Sequence, residues 1–310
     1  MDVLADVLSA TRIGGTIFTK TMLLAPWGVQ FDPASKAGFH IVLQGSAWLR
    51  VSGTDEPVAL HQGDVVLLPH GAGHSLASDL RVEPTTVDEM LATNCARLPA
   101  AAADVALSAA TLMCGAYQFE RDAVHPLLAL LPPVIHVLAE GGHVAGPLQS
   151  VMRLLVDEYD HGGPGSTAVV TRLIDVLFIY IIRCWADAQR EGTAGWLGAL
   201  RDPQIGRALA AIHRQPERDW SLEALAGEVG MSRSSFVRRF GRLVGEPPLG
   251  YLTRWRMDVA ARLLRETDRP MAQIADRVGY RSEYAFNRAF QRTRGVPPGR
   301  YRERSRVEAA

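Results

Sequence analysis

The residues best suited to chemistry stand in two short clusters near the end of the chain. Arg233, Ser234, Val237, Arg238 and Arg239 form one, and Arg281, Glu283, Tyr284, Asn287 and Arg288 the other. Side chains three and four apart share a face of a helix. Such a face can bond base edges in a groove and neutralise phosphates. A thinner set lies earlier: His40, His70 and His74, followed by Cys95 and Cys114. Imidazole and thiolate suit Zn²⁺, and imidazoles also furnish the few polar groups of a small-molecule pocket.

Both C-terminal clusters belong to one phrase written twice. The first copy runs Leu225-Ala226-Gly227-Glu228-Val229-Gly230-Met231-Ser232, then Phe236 and Phe240, and closes on Gly245-Glu246-Pro247-Pro248. The second runs Ile274-Ala275-Asp276-Arg277-Val278-Gly279-Tyr280, then Phe286 and Phe290, and closes on Gly295-Val296-Pro297-Pro298. Internal repetition fixes architecture before any local reading. Leu222, Leu225, Ala226 and Val229 make an apolar stripe at helical spacing,. Gly230 falls where a turn needs positive φ, and Ser232 can cap the next helix,. Phe236 and Phe240 then face the core together, which turns the polar cluster outward,. Each copy therefore reads as a helix-turn-helix. Leu249, Leu252, Trp255, Val259, Leu263 and Leu264 mark a long connecting helix, which begins after Pro247-Pro248 and ends near Asp268-Arg269-Pro270,.

Charge divides the chain in the same place. Residues 201–310 carry 22 arginines against 13 acids, whereas residues 1–200 carry 11 basic against 20 acidic residues. The net charge of zero conceals a basic C-terminal part, the electrostatic footprint of a phosphate binder,.

Residues from about 205 to 304 resemble the DNA-binding domain of the AraC/XylS family of bacterial transcription regulators. The stretch from Ile274-Ala275 through Phe290 to Gly295-Val296-Pro297-Pro298-Gly299-Arg300-Tyr301-Arg302 carries that resemblance over its whole length. It implies two units joined by the long helix, with recognition helices in successive major grooves roughly 34 Å apart. It also implies that Ser234, Val237 and Arg238 face bases from the first unit, and Glu283, Tyr284, Asn287 and Arg288 from the second. Val237, where a polar residue is common, can meet a thymine methyl,.

The N-terminal part reads as β. Phe39–Leu43, Ala47–Val51 and Val65–Leu68 are short apolar runs punctuated by Gly and Pro,. Gly63, Pro69, Gly71 and His74 stand in the spacing G-x5-P-x-G-x2-H, which resembles the second cupin motif; of the first motif only His40 remains. The sector from Trp27 to Leu76 thus resembles the cupin-type sensor found ahead of AraC-type domains. Too few ligands survive for a cupin oxygenase, and no catalytic residue is expected. The expected effector pocket is lined by Trp27, His40, Trp48 and His74. The alternative is a Zn²⁺ site drawn from His40, His70, His74, Cys95 and Cys114.

Two apolar helical patterns follow, around Leu148–Val156 and Thr167–Gln189, separated by Gly162-Gly163-Pro164-Gly165. Stripes this apolar pack under the barrel or against a second copy. The fold expected is α+β and multidomain. A cupin-like β-barrel spans 1–98, a helical packing or dimerisation segment 99–191, a linker 192–203, and an all-α double helix-turn-helix 204–304. Promoter DNA, a small-molecule effector, RNA polymerase and a second copy are the expected partners, with no membrane and no cofactor. The apolar run Val176–Ile182 is too short to span a bilayer, and the acidic start Met1-Asp2-Val3 lacks the basic residues of a signal peptide,. With three cysteines and no disulfide framework, the chain reads as cytoplasmic,.

Overall fold

The structure is a computed structural model that describes residues 3, 6, 13–34, 36–54, 56–95, 109–119, 131–139, 145–188 and 196–307. The described residues fall into two compact units. One is drawn from Ile13–Phe119 and Leu131–Gln189, the other chiefly from Arg190–Ala310.

The N-terminal unit contains two five-stranded sheets. One is built from β1 (Ile13–Leu24), β9 (Ala109–Phe119), β3 (Ala37–Gln44), β6 (Val65–Leu68) and β10 (Ile135–Val137), in that order. The other runs β5 (Val58–His61), β4 (Ser46–Val51), β7 (His74–Ala77), β2 (Gly28–Phe31) and β8 (Thr85–Thr86). No hydrogen-bonded ladder joins the two sheets among the described residues, so the expected barrel is an open sandwich. Alternating residues of both sheets fill its interior: Val42, Val66, Leu68 and Leu112 from the first, and Val29, Leu49, Val51 and Leu76 from the second,.

Two strands of the first sheet lie within 99–191, where only helical packing was expected. β9 pairs with β1 on one side and β3 on the other, so the sheet has no continuity without it. Its sequence, AATLMCGAYQF, is weak in the β-branched residues that mark strands,. The small residues have a packing reason. A Cβ on Gly115 would lie 2.4 Å from the Thr16 carbonyl oxygen and 2.5 Å from the Phe39 ring.

The helical patterns fold as expected into α2 (Ala145–His161) and α3 (Ser166–Ala188), after the short α1 (Val87–Cys95). α3 packs on the first sheet. The Tyr117 hydroxyl donates to the Ile174 carbonyl oxygen at 3.1 Å, and its ring meets Phe178 edge-on. The face α3 buries is Ile174, Leu177, Phe178, Ile181 and Ile182. Of the stripe read in the sequence, Leu177 and Ile181 are inside, but Val176 is exposed and Leu173, Tyr180 and Cys184 are half-buried. Among the described residues no helix is long and apolar enough to cross a membrane.

The C-terminal unit is all helical. The start of the expected 192–203 linker lies outside the described residues, and its remainder contains α4 (Trp196–Arg201). There follow α5 (Pro203–Arg214), α6 (Leu222–Glu228), α7 (Arg233–Val244), α8 (Pro248–Glu266), α9 (Met271–Arg277), α10 (Glu283–Arg294) and α11 (Pro298–Val307). α6–α7 and α9–α10 are the two repeats, and α8 is the connector. Ser232 and Ser282 cap α7 and α10, accepting from the N–H groups of Ser235 and Ala285. Gly245 and Gly295 end the same helices with φ of 84° and 75°,.

The two turn glycines differ in surroundings. Both have positive φ, 69° at Gly230 and 80° at Gly279. A Cβ on Gly230 would meet nothing within 4 Å, whereas one on Gly279 would lie 2.7 Å from the Glu217 carbonyl oxygen and 2.6 Å from an Arg256 nitrogen. Gly230→Ala should therefore cost only backbone strain, about 1–2 kcal/mol. Gly279→Ala should cost distinctly more, because the Glu217 backbone must also move. Urea unfolding of the full chain checks the ranking, and equal midpoints for the two variants would refute it.

Candidate functional site

In the first repeat, Phe236 and Phe240 are fully buried, and Phe240 meets Tyr251 of α8 edge-on at 5.8 Å. That fixes the rotation of α7. Arg233, Ser234 and Arg238 are exposed, while Val237 and Arg239 are half-buried. Arg233 lies 3.0 Å from Glu223 on α6. Arg239 is engaged elsewhere. Its guanidinium donates to the Asp202 carboxylate, at 2.9 Å from Nε, and to Gln204 Oε1 at 2.9 Å. Asp202 also caps α5 through the N–H groups of Gln204 and Ile205. Burial pushes the Asp202 carboxyl up, but the Ile205, Arg239 and Gln204 hydrogen bonds outweigh it and hold it below its usual range. Arg239, grouped in the sequence with the groove-facing residues, therefore braces α7 against α5.

The second repeat presents an equivalent face. Phe286 and Phe290 are buried, Glu283, Tyr284 and Arg288 are exposed, and Asn287 is half-buried. Tyr284 is 71% exposed, the most open large apolar side chain described. The Arg288 guanidinium stands over its ring, 5.8 Å from the centroid. Arg281 pairs with Asp219 at 3.2 Å, but both side chains are 91% exposed, so the pair is a solvated one,.

Two arginines with no distinguishing signal in the sequence hold the repeats in place. Arg294, on α10, is buried and ion-paired with Asp258 of α8. Burial raises the Asp258 carboxyl to about 6, against the opposing pull of Arg294 and Arg254. Arg256, also on α8, donates to the carbonyl oxygens of Pro216 at 2.7 Å and Arg218 at 2.9 Å. Its guanidinium lies 5.7 Å from the Tyr280 ring, and it is the group that closes over Gly279. Arg256 thus links the segment before α6, the connector and the turn of the second repeat.

Inside the sandwich, the structure brings together three of the N-terminal candidates. His40 Nδ1 is 2.9 Å from Cys114 Sγ, and His40 Nε2 is 2.7 Å from His74 Nε2. His74 Nδ1 is 2.8 Å from the Ala72 carbonyl oxygen. Phe31 stacks on His74, with ring centroids 4.7 Å apart. The bonding fixes the protons. A carbonyl only accepts, so His74 carries its proton on Nδ1 and accepts at Nε2. His40 then donates from Nε2 and accepts the Cys114 S–H at Nδ1. Burial favours this neutral chain throughout. It lowers His40 well below the usual value, with His74 adding to the effect, and it lowers His74. It also pushes the Cys114 thiol up to about 12.

Trp27 lies in the same apolar filling of the sandwich as Cys114. The other N-terminal candidates are not gathered there. Trp48 sits between the buried Ala47 and Leu49 and so projects from the opposite face of β4,. His70 is exposed and donates to the Leu131 carbonyl oxygen at 2.8 Å. The Cys95 side chain lies outside the described residues. Cys114 and His74 occupy opposite nitrogens of His40, so one ion cannot be shared by all three as they stand. Among the described residues no set of three or more His, Cys, Asp or Glu side chains is placed to hold a metal.

A neutral buried pair has a pH consequence. The folded-state values of His40 and His74 lie below the value near 6.5 of an unfolded chain,. The unfolded chain therefore takes up protons first, so stability is full above about pH 6.5 and falls below it. Between pH 7.5 and 5.5 the loss should be about 1 kcal/mol or more. Thermal unfolding at the two pH values should show a smaller acid shift in a His40→Leu/His74→Leu variant than in the wild type. Identical shifts would refute the neutral assignment.

Comparison with known proteins agrees with this architecture. The cupin family model matches residues 2–187 and a helix-turn-helix domain model matches residues 225–304. An AraC-like transcription regulator of Streptomyces antibioticus is 36% identical over 308 residues, covering 98% of this chain and 99% of that protein. The HTH-type transcriptional activator RclR of Escherichia coli K12 is 29% identical over 313 residues, covering 99% of each. Among solved structures, the DNA-binding domain of AdpA, in complex with a target DNA, is 36% identical. It covers 34% of this chain and 96% of that one, with a TM-score of 0.33. With a cupin domain ahead of two helix-turn-helix repeats, and a relative of this identity along nearly its whole length, the chain belongs to the AraC-like family of DNA-binding transcription regulators.

Proposed function

We propose that the chain binds promoter DNA through α7 and α10, with Ser234, Val237 and Arg238 in one major groove and Glu283, Tyr284, Asn287 and Arg288 in the next. Arg233 and Arg281 then stand at the phosphates. The observation that supports this most directly is the equivalence of the two faces. Each lies opposite a buried Phe pair on a Ser-capped helix, within one compact unit. An arginine occupies the same place on both, Arg238 and Arg288.

Regulation belongs in this reading to the N-terminal unit. An effector entering the sandwich would engage His40 and His74, and the chain would act without catalysis. The ring nitrogens already have partners, so such a ligand exchanges one hydrogen bond for another. A second copy of the chain is the occupant we assign to the outer face of α3. Val169 and Val176 are exposed there, and Arg172, Asp175, Arg183 and Asp187 alternate in sign along the helix. That order is self-complementary for an antiparallel pair. Activation through RNA polymerase, in the cytoplasm, is the sense we assign, following the relative named as an activator.

Arg238→Ala and Arg288→Ala should each weaken binding to a selected promoter fragment by about 1–3 kcal/mol if the arginine contacts a guanine. For the wild type, log K should fall linearly with log salt, by roughly 0.9 for each phosphate neutralised. Fluorescence anisotropy on the full chain measures both. Wild-type affinity for both variants would remove α7 and α10 from the interface.

A further inference from the structure

The two faces are equivalent in position but not in chemistry. From Ser232 and Ser282 onward, α7 and α10 correspond residue by residue: Phe236 with Phe286, Phe240 with Phe290, Gly245 with Gly295. Both are Ser-capped, both bury the Phe pair, and both end on a left-handed glycine. The outward row in the first repeat is Ser234, Val237, Arg238 and Gly241; in the second it is Tyr284, Asn287, Arg288 and Gln291. Only the arginine is shared. Val237 and Gly241 have no side-chain hydrogen-bonding group, where Asn287 and Gln291 each carry a carboxamide. A carboxamide matches the N6 and N7 of adenine, an arginine matches the O6 and N7 of guanine, and an apolar side chain meets the thymine methyl.

Charge is distributed in the opposite sense. α7 carries Arg233, Arg238 and Arg242, besides Arg239 held by Asp202, and no acid. α10 carries Glu283 in its first turn, and of its arginines Arg294 is buried against Asp258. Glu283 replaces Arg233, and a carboxylate there repels phosphate. It accepts instead from an amino group such as cytosine N4.

We infer that the repeats divide recognition: the second reads the sequence, and the first anchors. The operator fitted by this chemistry is asymmetric. Under α10 it holds adenine beside guanine. Under α7, about one helical turn away, it holds guanine with a thymine and is otherwise loosely specified. The carboxamides, absent from the first repeat, supply the base selectivity, while the arginines of α7 supply affinity for any duplex.

This inference rests on the reading that α7 and α10 face the bases, and the test separates the two. The full chain is used to select duplexes from a randomised pool, and selected sequences are compared for the wild type, Asn287→Val, Gln291→Gly and Val237→Asn. The exchanged residues are those of the opposite repeat, and circular dichroism confirms that each variant keeps its helices. The wild type should select one half-site strongly and the other weakly. Asn287→Val should lower the adenine preference in the strong half-site by about tenfold, and Gln291→Gly should weaken the same half-site. Val237→Asn should create an adenine preference in the weak one. If Val237→Asn instead alters the strongly selected half-site, or if neither Asn287→Val nor Gln291→Gly changes any preference, the division is overturned. If Arg238→Ala and Arg288→Ala also leave the selected sequences and the affinity unchanged, the interface itself is wrong. If those two weaken binding while the exchanges do nothing, only the division fails.

Discussion

The outward faces of α7 and α10 are aimed by the burial of four phenylalanines. Phe236, Phe240, Phe286 and Phe290 have no measurable exposure. Fully burying an aromatic side chain of this size contributes about 1.5–3 kcal/mol. Truncating one to alanine typically costs about 3–5 kcal/mol once the cavity is included. No single surface contact on α7 or α10 approaches that. The exposed pairs, Arg233 with Glu223 and Arg281 with Asp219, are solvated and contribute little,. The apolar pair therefore sets the rotation of each helix; Arg239 and Arg294 turn to carboxylates of neighbouring helices, and the remaining polar residues face outward.

This hierarchy explains what was legible in the sequence. An i, i+4 aromatic pair after a glycine turn is a local signal, and its consequence is local too: the rotation of one helix. Both recognition helices, their serine caps and their glycine ends follow from it. Arg239 does not, because its position on the helix is compatible with either solvent or Asp202, and Asp202 is remote in sequence. Arg256 and Arg294 are invisible for the same reason. In an arginine-rich segment, nothing marks Arg256 and Arg294 as the ones that hold the repeats until α8 is seen to pass between them.

The N-terminal unit shows the complementary failure. β9 is an interior strand of its sheet through pairing with β1 and β3, and tertiary pairing needs no β-branched run,. Gly115 is there for the closeness of Phe39 and Thr16, two neighbours that sequence spacing does not announce. His40 and His74 were found by motif, but their partner was not. Cys114 reaches His40 only because β3 and β9 place them directly opposite. Trp48 illustrates a simpler point. Strand alternation put Ala47 and Leu49 inside, and a tryptophan between them had to face out, a parity that could have been counted along the strand,.

The two repeats share one compact unit, and that changes what an anchor can do. Arg256 and the Arg294–Asp258 pair fix the repeats through α8 rather than through a flexible joint. Once one recognition helix engages the duplex, the other meets its groove as an intramolecular event, at high effective concentration and without a further loss of rotational freedom. Under the division proposed above, phosphate contacts made by the first repeat would raise affinity for right and wrong sites alike. They would leave the ratio between those sites to what the second repeat reads. A rigid connector would thus let charge and selectivity sit on different helices without either diluting the other. A flexible connector would let the second helix dock out of register at little cost, and the amides on its face would then discriminate far less.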